Sequence, residues 1–201
     1  MTRRRSRLIR RDESGATLVE FGILLLPLMM VVLGFCELAY QAYVRSTLQG
    51  ALNDVARIST VEDPKFGNVM TPLETRIKKR VSDRMSKLSK NATYAFAIVN
   101  YRNFGSVGKA EALVTDVNGN GKYDAGDCWE DTNPNKAFDL DAGKAGVGGA
   151  DDVVTFDVTM TVPHLFPVMK LFGKPNTFDA KASTMVRDQP YAEQRSPEVA
   201  C

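Results

Sequence analysis

The longest hydrophobic run of the chain lies close to its N-terminus, at residues 16–40. Its central part, residues 21–36, contains no charged side chain, and the flanks extend it towards the ~20 residues that a helix needs to cross a bilayer. Because hydrocarbon offers the backbone no hydrogen-bond partner, such a segment must be helical. Pro27 removes one intrahelical hydrogen bond and predicts a bend. The pattern therefore predicts a transmembrane helix.

Beyond this run, hydrophobic residues keep recurring at three- and four-residue spacing, which predicts that the same helix continues to about residue 60. The recurring residues are Leu48, Ala51, Leu52, Val55 and Ile58. A second helix is predicted to begin at Thr71-Pro72-Leu73-Glu74, a capping box with proline at the first helical position. Its apolar stripe is formed by Leu73, Ile77, Val81, Met85 and Leu88. We interpret both stripes as core packing.

After residue 91 the pattern changes from helices to strands. Four segments, residues 93–101, 110–115, 153–162 and 177–187, are rich in β-branched and aromatic residues with partial alternation. Helices followed by strands are typical of an α+β fold. The sequence therefore predicts a long N-terminal helix, a second helix and a small antiparallel sheet packed on them.

Charge is unevenly distributed, although the formal net charge of the chain is only +2. Six arginines precede the hydrophobic run: Arg3, Arg4, Arg5, Arg7, Arg10 and Arg11. By the positive-inside bias, the N-terminus is predicted to be cytoplasmic and everything after about residue 40 to be exported. The arginines are not interleaved with aromatic residues, so a topology signal is favoured over nucleic-acid binding.

Other kinds of N-terminal apolar segment fit less well. A secretory signal peptide ends in a small-residue cleavage site, which residues 37–41 lack. A lipoprotein signal using Cys36 is disfavoured by the bulky Phe35 before it. A plain signal anchor explains everything except Glu20, because a carboxylate inside a membrane helix is costly and marks a functional candidate. Snorkelling of Glu20 to the interface is the simpler alternative.

The residues around Glu20 resemble the processing site of type IV prepilins: a basic leader, Gly15, and a hydrophobic segment, up to Phe21 and beyond, with Glu20 at its fifth position. The resemblance implies cleavage after Gly15 by a prepilin peptidase, which leaves a free amine on Ala16. Glycine suits this position because it has no side chain to obstruct an extended backbone in a protease cleft. The Glu20 carboxylate is then expected to pair with the N-terminal amine of a neighbouring subunit.

Over residues 10–58 the chain resembles TadE-like proteins, which are pseudopilins of the tight-adherence (Flp, type IVb) pilus systems. The likeness rests on residues 11–21 and on Glu37 at the end of the apolar stretch, and a weaker likeness covers residues 152–163 and 182–190. TadG-like relatives are usually much longer, and the Flp pilin is much shorter. The resemblance implies a prepilin peptidase, other pilins or pseudopilins, and the pilus assembly machinery as partners.

Residues 116–127 form the one constellation that predicts a ligand. Oxygen-bearing side chains fall at loop positions 1, 3, 5, 9 and 12, with Gly121 at position 6, which is the EF-hand calcium spacing with a final aspartate. The predicted ligands are Asp116, Asn118, Asn120, Asp124 and Asp127, with the carbonyl group of Lys122. Alternate residues of a curled loop can turn hard oxygens inward to calcium. The loop resembles those of dockerins; the alternative is a solvated Asn-Gly turn.

A second run, residues 131–142, repeats part of this spacing. Its oxygen-bearing residues are Asp131, Asn133, Asn135 and Asp139. Lys136 stands where glycine belongs, and Ala142 stands at the final position. We therefore interpret the run as a degenerate copy that could contribute Asp131, Asp139 or Asp141 to the first loop. A separate second ion is the alternative.

The three cysteines fit neither a zinc site nor a disulfide-rich scaffold. Cys36 lies inside the apolar helix and is expected to pack as a small hydrophobe. Cys128 and Cys201 are both predicted on the exported side, where a disulfide could persist, and the sequence leaves their pairing open. His164 has no metal-ligating or acidic motif near it in the sequence and is interpreted as structural.

The sequence predicts three parts: a basic cytoplasmic leader (residues 1–15), a transmembrane and extended helix (residues 16–60), and an exported periplasmic α+β domain (residues 61–201). The favoured function is a minor pilin or pseudopilin of the inner membrane, cleaved by a prepilin peptidase and needed to assemble an adhesive pilus, into which it could be incorporated. The alternative is an unprocessed, membrane-anchored calcium-binding adhesion or scaffold protein. No nucleophile elbow, His-rich metal site or tuned carboxylate pair is evident, which argues against an enzyme with a small-molecule substrate.

Overall fold

The computed structural model describes residues 15–68, 70–166, 170, 173 and 175–201. Apart from Gly15, the predicted basic leader therefore lies outside the described residues. The described residues form two α-helices, one short 3₁₀ helix and seven strands arranged in two antiparallel sheets. The predicted α+β fold is confirmed.

The first helix, α1, runs Ala16–Ser59, with Pro27 inside it. By length and composition it can cross a membrane, and none of its most apolar 18-residue stretch is buried in the structure. Leu24 and Leu26, for example, are 67% and 68% exposed. The core helix of a soluble protein buries such side chains, so the first half of α1 is a candidate membrane span.

The second half of α1 is instead packed against the rest of the chain. Its fully buried side chains are Val44, Leu48, Ala51, Leu52, Val55 and Ala56. This stripe matches the predicted one except at Ile58, which is 39% exposed. Because an α-helix has 3.6 residues per turn, Ile58 lies at the edge of the stripe, and the buried Ser59 continues it.

The second helix, α2, runs Leu73–Met85 and buries Ile77, Val81 and Met85 against α1 and the neighbouring core. The predicted capping box is wrong, because no side chain caps this helix. The Thr71 hydroxyl donates to the carbonyl of Asn68 at 2.7 Å, and Pro72 occupies the N-cap position in an extended conformation. The helix therefore begins one residue after the proline.

The larger sheet contains β1 (Thr93–Tyr101), β4 (Lys144–Ala145), β5 (Val153–Pro163) and β6 (Thr177–Arg187), in the order β4-β1-β5-β6. The three long strands lie at the predicted positions. The central strand β5 buries Phe156, Val158 and Met160 in the cluster that also contains the buried residues of both helices. The core therefore lies between this sheet and the two helices, and α1 packs mainly on β6.

The smaller sheet contains β2 (Leu113–Thr115), β3 (Cys128–Asp131) and β7 (Glu198–Ala200), in the order β2-β3-β7. Strand β2 is shorter than the predicted segment 110–115. Strands β3 and β7 are too short to show a recognisable alternation of hydrophobic and polar residues in the sequence. Strand β3 directly follows the first calcium-type loop and directly precedes most of the second, so it places the two loops side by side.

Candidate functional site

The residues predicted for processing and assembly lie at the start of α1. The helix begins at Ala16, and Gly15 occupies its N-cap position without a side-chain cap. Glu20 and Phe21 follow within the first turns and are exposed. The ion pairs among the described residues do not include Glu20. The structure thus presents one carboxylate on an otherwise apolar, uncovered stretch of helix.

The first calcium-type loop, residues 116–127, is curled by hydrogen bonds from its backbone to its first side chain. The Asp116 carboxylate accepts the N–H groups of Gly119 and Gly121, each at 2.7 Å. Gly121, at position 6, has a φ of 72°, a left-handed conformation that favours glycine. This is the tight turn that the spacing predicts at that position.

The other predicted ligand residues of the first loop form a connected network. The side-chain amides of Asn118 and Asn120 donate to the same oxygen, Oδ2 of Asp124, at 2.8 and 2.7 Å. Asp127 is 1% exposed, and its carboxylate accepts the N–H groups of Val117 and Asp124 at 2.9 and 2.8 Å. The N–H group of Lys122 donates to Oδ1 of Asn120 at 2.7 Å, so that Lys122 belongs to the same turn.

The chemistry of this network fits a calcium ion. Its groups offer carboxylate, amide and carbonyl oxygens, the hard ligands that calcium prefers. Hydrogen bonds from the Asn118 and Asn120 amides hold the pKa of Asp124 below its ordinary value, which favours the charged form. The oxygen and nitrogen of an amide exchange places on a half-turn, so both asparagines can present oxygen to a cation.

Carboxylates alone do not build a metal centre in the part of the chain that the structure describes. No three His, Cys, Asp or Glu side chains there form a group that could hold a metal ion. In the first loop, two amide groups and one carboxylate oxygen meet at the centre. A bound cation would therefore depend on the asparagine oxygens and the Lys122 carbonyl as well as on the aspartates.

Comparison with known protein families finds a similarity to the N-terminal helix, which carries the residues predicted for processing and assembly. Residues 15–57 match the family model described as TadE-like protein. The N-terminal helix therefore resembles the matching part of TadE-like proteins, and we call it the TadE-like helix. The match bears out the resemblance to TadE-like proteins over residues 15–57 of the predicted range 10–58, and it ends within α1, before α2, the sheets and the loops. Searches of curated proteins and of solved structures returned no significant match.

The TadE-like helix is attached to the C-terminal region through Glu37, just beyond its apolar stretch. Oε1 of Glu37 lies 2.7 Å from Nδ1 of His164, and Oε2 accepts the N–H groups of Leu165 and Phe166 at 3.0 and 3.3 Å. His164 therefore has an acidic partner that the sequence analysis missed. The two residues are 127 positions apart, so local spacing carries no signal of their contact.

The second run, residues 131–142, forms a loop of its own. Asp131 accepts the N–H group of Lys136 at 2.8 Å, and Asp139 accepts both side-chain amides of the loop's asparagines. Asp131 and Asp139 are thus engaged within the second loop, whereas Asp141 accepts a hydrogen bond from the Tyr101 hydroxyl at 3.3 Å. The structure also brings Glu111, from the segment before β2, to this loop. The sequence analysis did not single out Glu111.

A disulfide joins Cys128 and Cys201. Cys128 directly follows Asp127 of the first loop, and Cys201 directly follows β7, where Ala200 lies opposite Trp129 of β3. The bond therefore fixes the C-terminal end of the chain beside the first loop. Cys36 is a free, exposed cysteine on the apolar half of the TadE-like helix.

Proposed function

We propose that this protein is a minor pilin or pseudopilin of a tight-adherence pilus, anchored in the bacterial inner membrane by its TadE-like helix. Its N-terminus would be cytoplasmic and its C-terminal domain, residues 61–201, periplasmic. The observation that carries the proposal is that the family match includes the half of α1 whose hydrophobic surface is left uncovered by the described residues. Such a surface suits lipid and the helices of other pilins, which implies a structural and not a catalytic role.

Processing by a prepilin peptidase after Gly15 is part of the proposal. Gly15 is exposed, and among the described residues no atom lies within 4 Å of the position that a side chain would take there. Cleavage would leave an amine on Ala16, one helical turn from Glu20. In an assembled bundle, the Glu20 carboxylate of one subunit and the amine of a neighbour would neutralise each other in a medium where neither is stable alone.

Calcium bound by the first loop is the other part of the proposal. It would stabilise the periplasmic domain, and even weak sites can be filled at extracellular calcium levels. A membrane-anchored calcium-binding scaffold that keeps its leader is the competing function. The two differ in whether the leader is removed and whether Glu20 is needed for assembly.

Replacing Glu20 with alanine should leave membrane insertion intact and reduce pilus assembly by about tenfold or more, because breaking a buried ion pair costs roughly 3–5 kcal/mol. The measurement is the amount of sheared surface pili in a strain that lacks its own copy of this protein and carries the variant. Glu62→Ala is the matched control, since Glu62 is exposed and lies beyond α1. Normal piliation by the Glu20 variant would contradict the assembly role.

A further inference from the structure

The larger sheet lies lengthwise along the packed half of α1. At the start of β6, the ring of Phe178 lies edge-on to that of Tyr40, with centroids 6.0 Å apart. Just beyond the other end of β6, the N–H group of Gln189 donates to the carbonyl of Thr60 at 2.9 Å. Residue numbers increase together along the helix and the strand, so β6 runs in the same direction as α1. The start of β6 is therefore at the end of the sheet nearest the apolar half of the helix.

Glu37 sets the level of that end relative to the bilayer. It is the first charged residue after the uncharged stretch 21–36. About 20 helical residues cover the ~30 Å of hydrocarbon, so a membrane-spanning α1 places Glu37 at the boundary opposite the arginine-rich leader. The Glu37 carboxylate accepts the N–H groups of Leu165 and Phe166, which directly follow the end of β5. These two apolar residues are consequently at the level of the lipid headgroups, and Leu165 is 51% exposed.

The connection between α2 and β1, residues 86–92, lies at the same end of the sheet. Thr93, the first residue of β1, is opposite Thr161 near the end of β5. Pro163, which ends β5, is opposite Thr177, which begins β6. The chain therefore enters β1 where it leaves β5. We call residues 86–92 and 164–166 together the membrane-proximal end.

This end of the domain is basic. Lys87 and Lys90 are exposed within residues 86–92, and Lys170 is exposed in the connection 164–176 between β5 and β6. Neither segment contains an aspartate or a glutamate. The ion pairs among the described residues involve none of the three lysines. Lysines without a carboxylate partner, next to a bilayer, are attracted to anionic lipid headgroups.

The opposite end of the sheet carries the opposite charge. Asp151 and Asp152 directly precede β5, and Asp188 directly follows β6. Arg187, the last residue of β6, is paired with Asp151 at 2.7 Å. An anionic surface therefore attracts one end of the sheet and repels the other, in the orientation that the Glu37 contact already imposes.

We propose that the membrane-proximal end is a second membrane-contact surface, whose occupant is the anionic lipid surface of the bilayer that α1 crosses. Leu165 and Phe166 enter the boundary between headgroups and acyl chains, and Lys87 and Lys90 bind lipid phosphates. Apolar burial and electrostatic attraction together are what bind peripheral segments to membranes. The contact would fix the tilt of the exported domain on the membrane before assembly. It rests on the membrane span of the proposed function.

The test is the depth of fluorescent labels in the full-length protein, reconstituted in vesicles of phosphatidylcholine and phosphatidylglycerol. A nitrobenzoxadiazole label is placed at Leu165→Cys or, as the matched control, at Leu140→Cys, each in a Cys36→Ser background. The disulfide keeps Cys128 and Cys201 unlabelled. Leu140 is 83% exposed and adjoins Asp141, which bonds to Tyr101 at the far end of β1. We expect headgroup-linked nitroxide lipids to quench position 165 at least about threefold more than position 140.

Charge reversal tests the role of the lysines. Lys87→Glu combined with Lys90→Glu should reduce quenching at position 165 by about half or more, because the anionic surface then repels this end. Vesicles of phosphatidylcholine alone should have the same effect. The control combines Lys65→Glu with Lys109→Glu, which change the charge equally at exposed positions away from this end and should leave quenching unchanged. Fluorescence of Trp129, the single tryptophan, verifies that each variant is folded.

A label on Cys36 of the otherwise unmodified protein separates this inference from the proposed function. Cys36 lies in the apolar half of α1, so nitroxides on the acyl chains should quench it strongly. Strong quenching there with equal quenching at positions 165 and 140 would overturn the second contact and leave the span intact. Weak quenching at Cys36 would overturn both.

Two further results would overturn the lipid contact. Quenching at position 165 that changes neither with the lysine reversal nor without phosphatidylglycerol would contradict binding to anionic headgroups. Shielding of position 165 from both lipid nitroxides and aqueous iodide would mean that a second copy of the chain, and not lipid, covers this surface.

Discussion

Replacing Cys201 with serine is expected to destabilise the protein by about 4 kcal/mol, the value that chain entropy predicts for a disulfide closing a loop of this length. The bonded cysteines are 73 residues apart, and the closed segment contains β3 to β7. Without the bond, the three-residue strand β7 would keep its pairing with β3 but would lose its covalent link to that strand. Urea unfolding of the full-length protein in detergent, followed by Trp129 fluorescence, measures the change.

The chain contains a matched control for this prediction. Cys36→Ser also removes one sulfur atom, but Cys36 is a free, exposed cysteine on α1. We expect its unfolding midpoint to equal that of the unmodified protein. Equal midpoints for the Cys36 and Cys201 variants would contradict the stabilising role of the disulfide.

Removing calcium should lower the melting temperature of the C-terminal domain. A site filled at about 100 times its dissociation constant stabilises the folded state by about 2.7 kcal/mol, which corresponds to a shift on the order of 10 °C. The physical cause is that calcium binds the folded first loop, where the oxygen ligands are close together, and not the unfolded chain. A thermal scan with calcium, and again with excess chelator, measures the shift.

The calcium effect should be specific to that ion. Magnesium demands a tighter octahedral arrangement and gives up its water reluctantly, so equal magnesium should restore little of the lost stability. Asp116→Asn, which removes a charge at position 1 of the first loop, should reduce the shift. A melting temperature that does not respond to the chelator would contradict a calcium role in the fold.

The long helices and strands of this fold could be predicted because hydrophobic residues repeat along each of them with a recognisable spacing. Strand β1 lies at the predicted residues 93–101 and β6 at 177–187, since both are long and rich in β-branched and aromatic residues. Strand β7, Glu198–Ala200, is three residues long and is defined only by its pairing with β3. No local pattern can indicate such a strand.

The residues of the candidate sites can be divided in the same way, into those with a local sequence signal and those without one. The predicted ligands of the first loop are close together in the sequence, so the spacing from Asp116 to Asp127 was enough to predict which side chains the hydrogen-bond network connects. Glu111 lies 20 positions before the loop it contacts, and His164 lies 127 positions from Glu37. Tertiary contacts of this kind depend on how the strands and helices pack, which the sequence pattern does not specify.

The central claim is that the TadE-like helix is the first helix of a processed pilin-type precursor. The most direct measurement is the intact mass of the protein purified from membranes of cells that contain an active prepilin peptidase. We expect a chain that begins at Ala16 and lacks residues 1–15, and we expect substitution of Gly15 by leucine to prevent the cleavage. An unmodified chain that retains its leader in those cells would contradict the account.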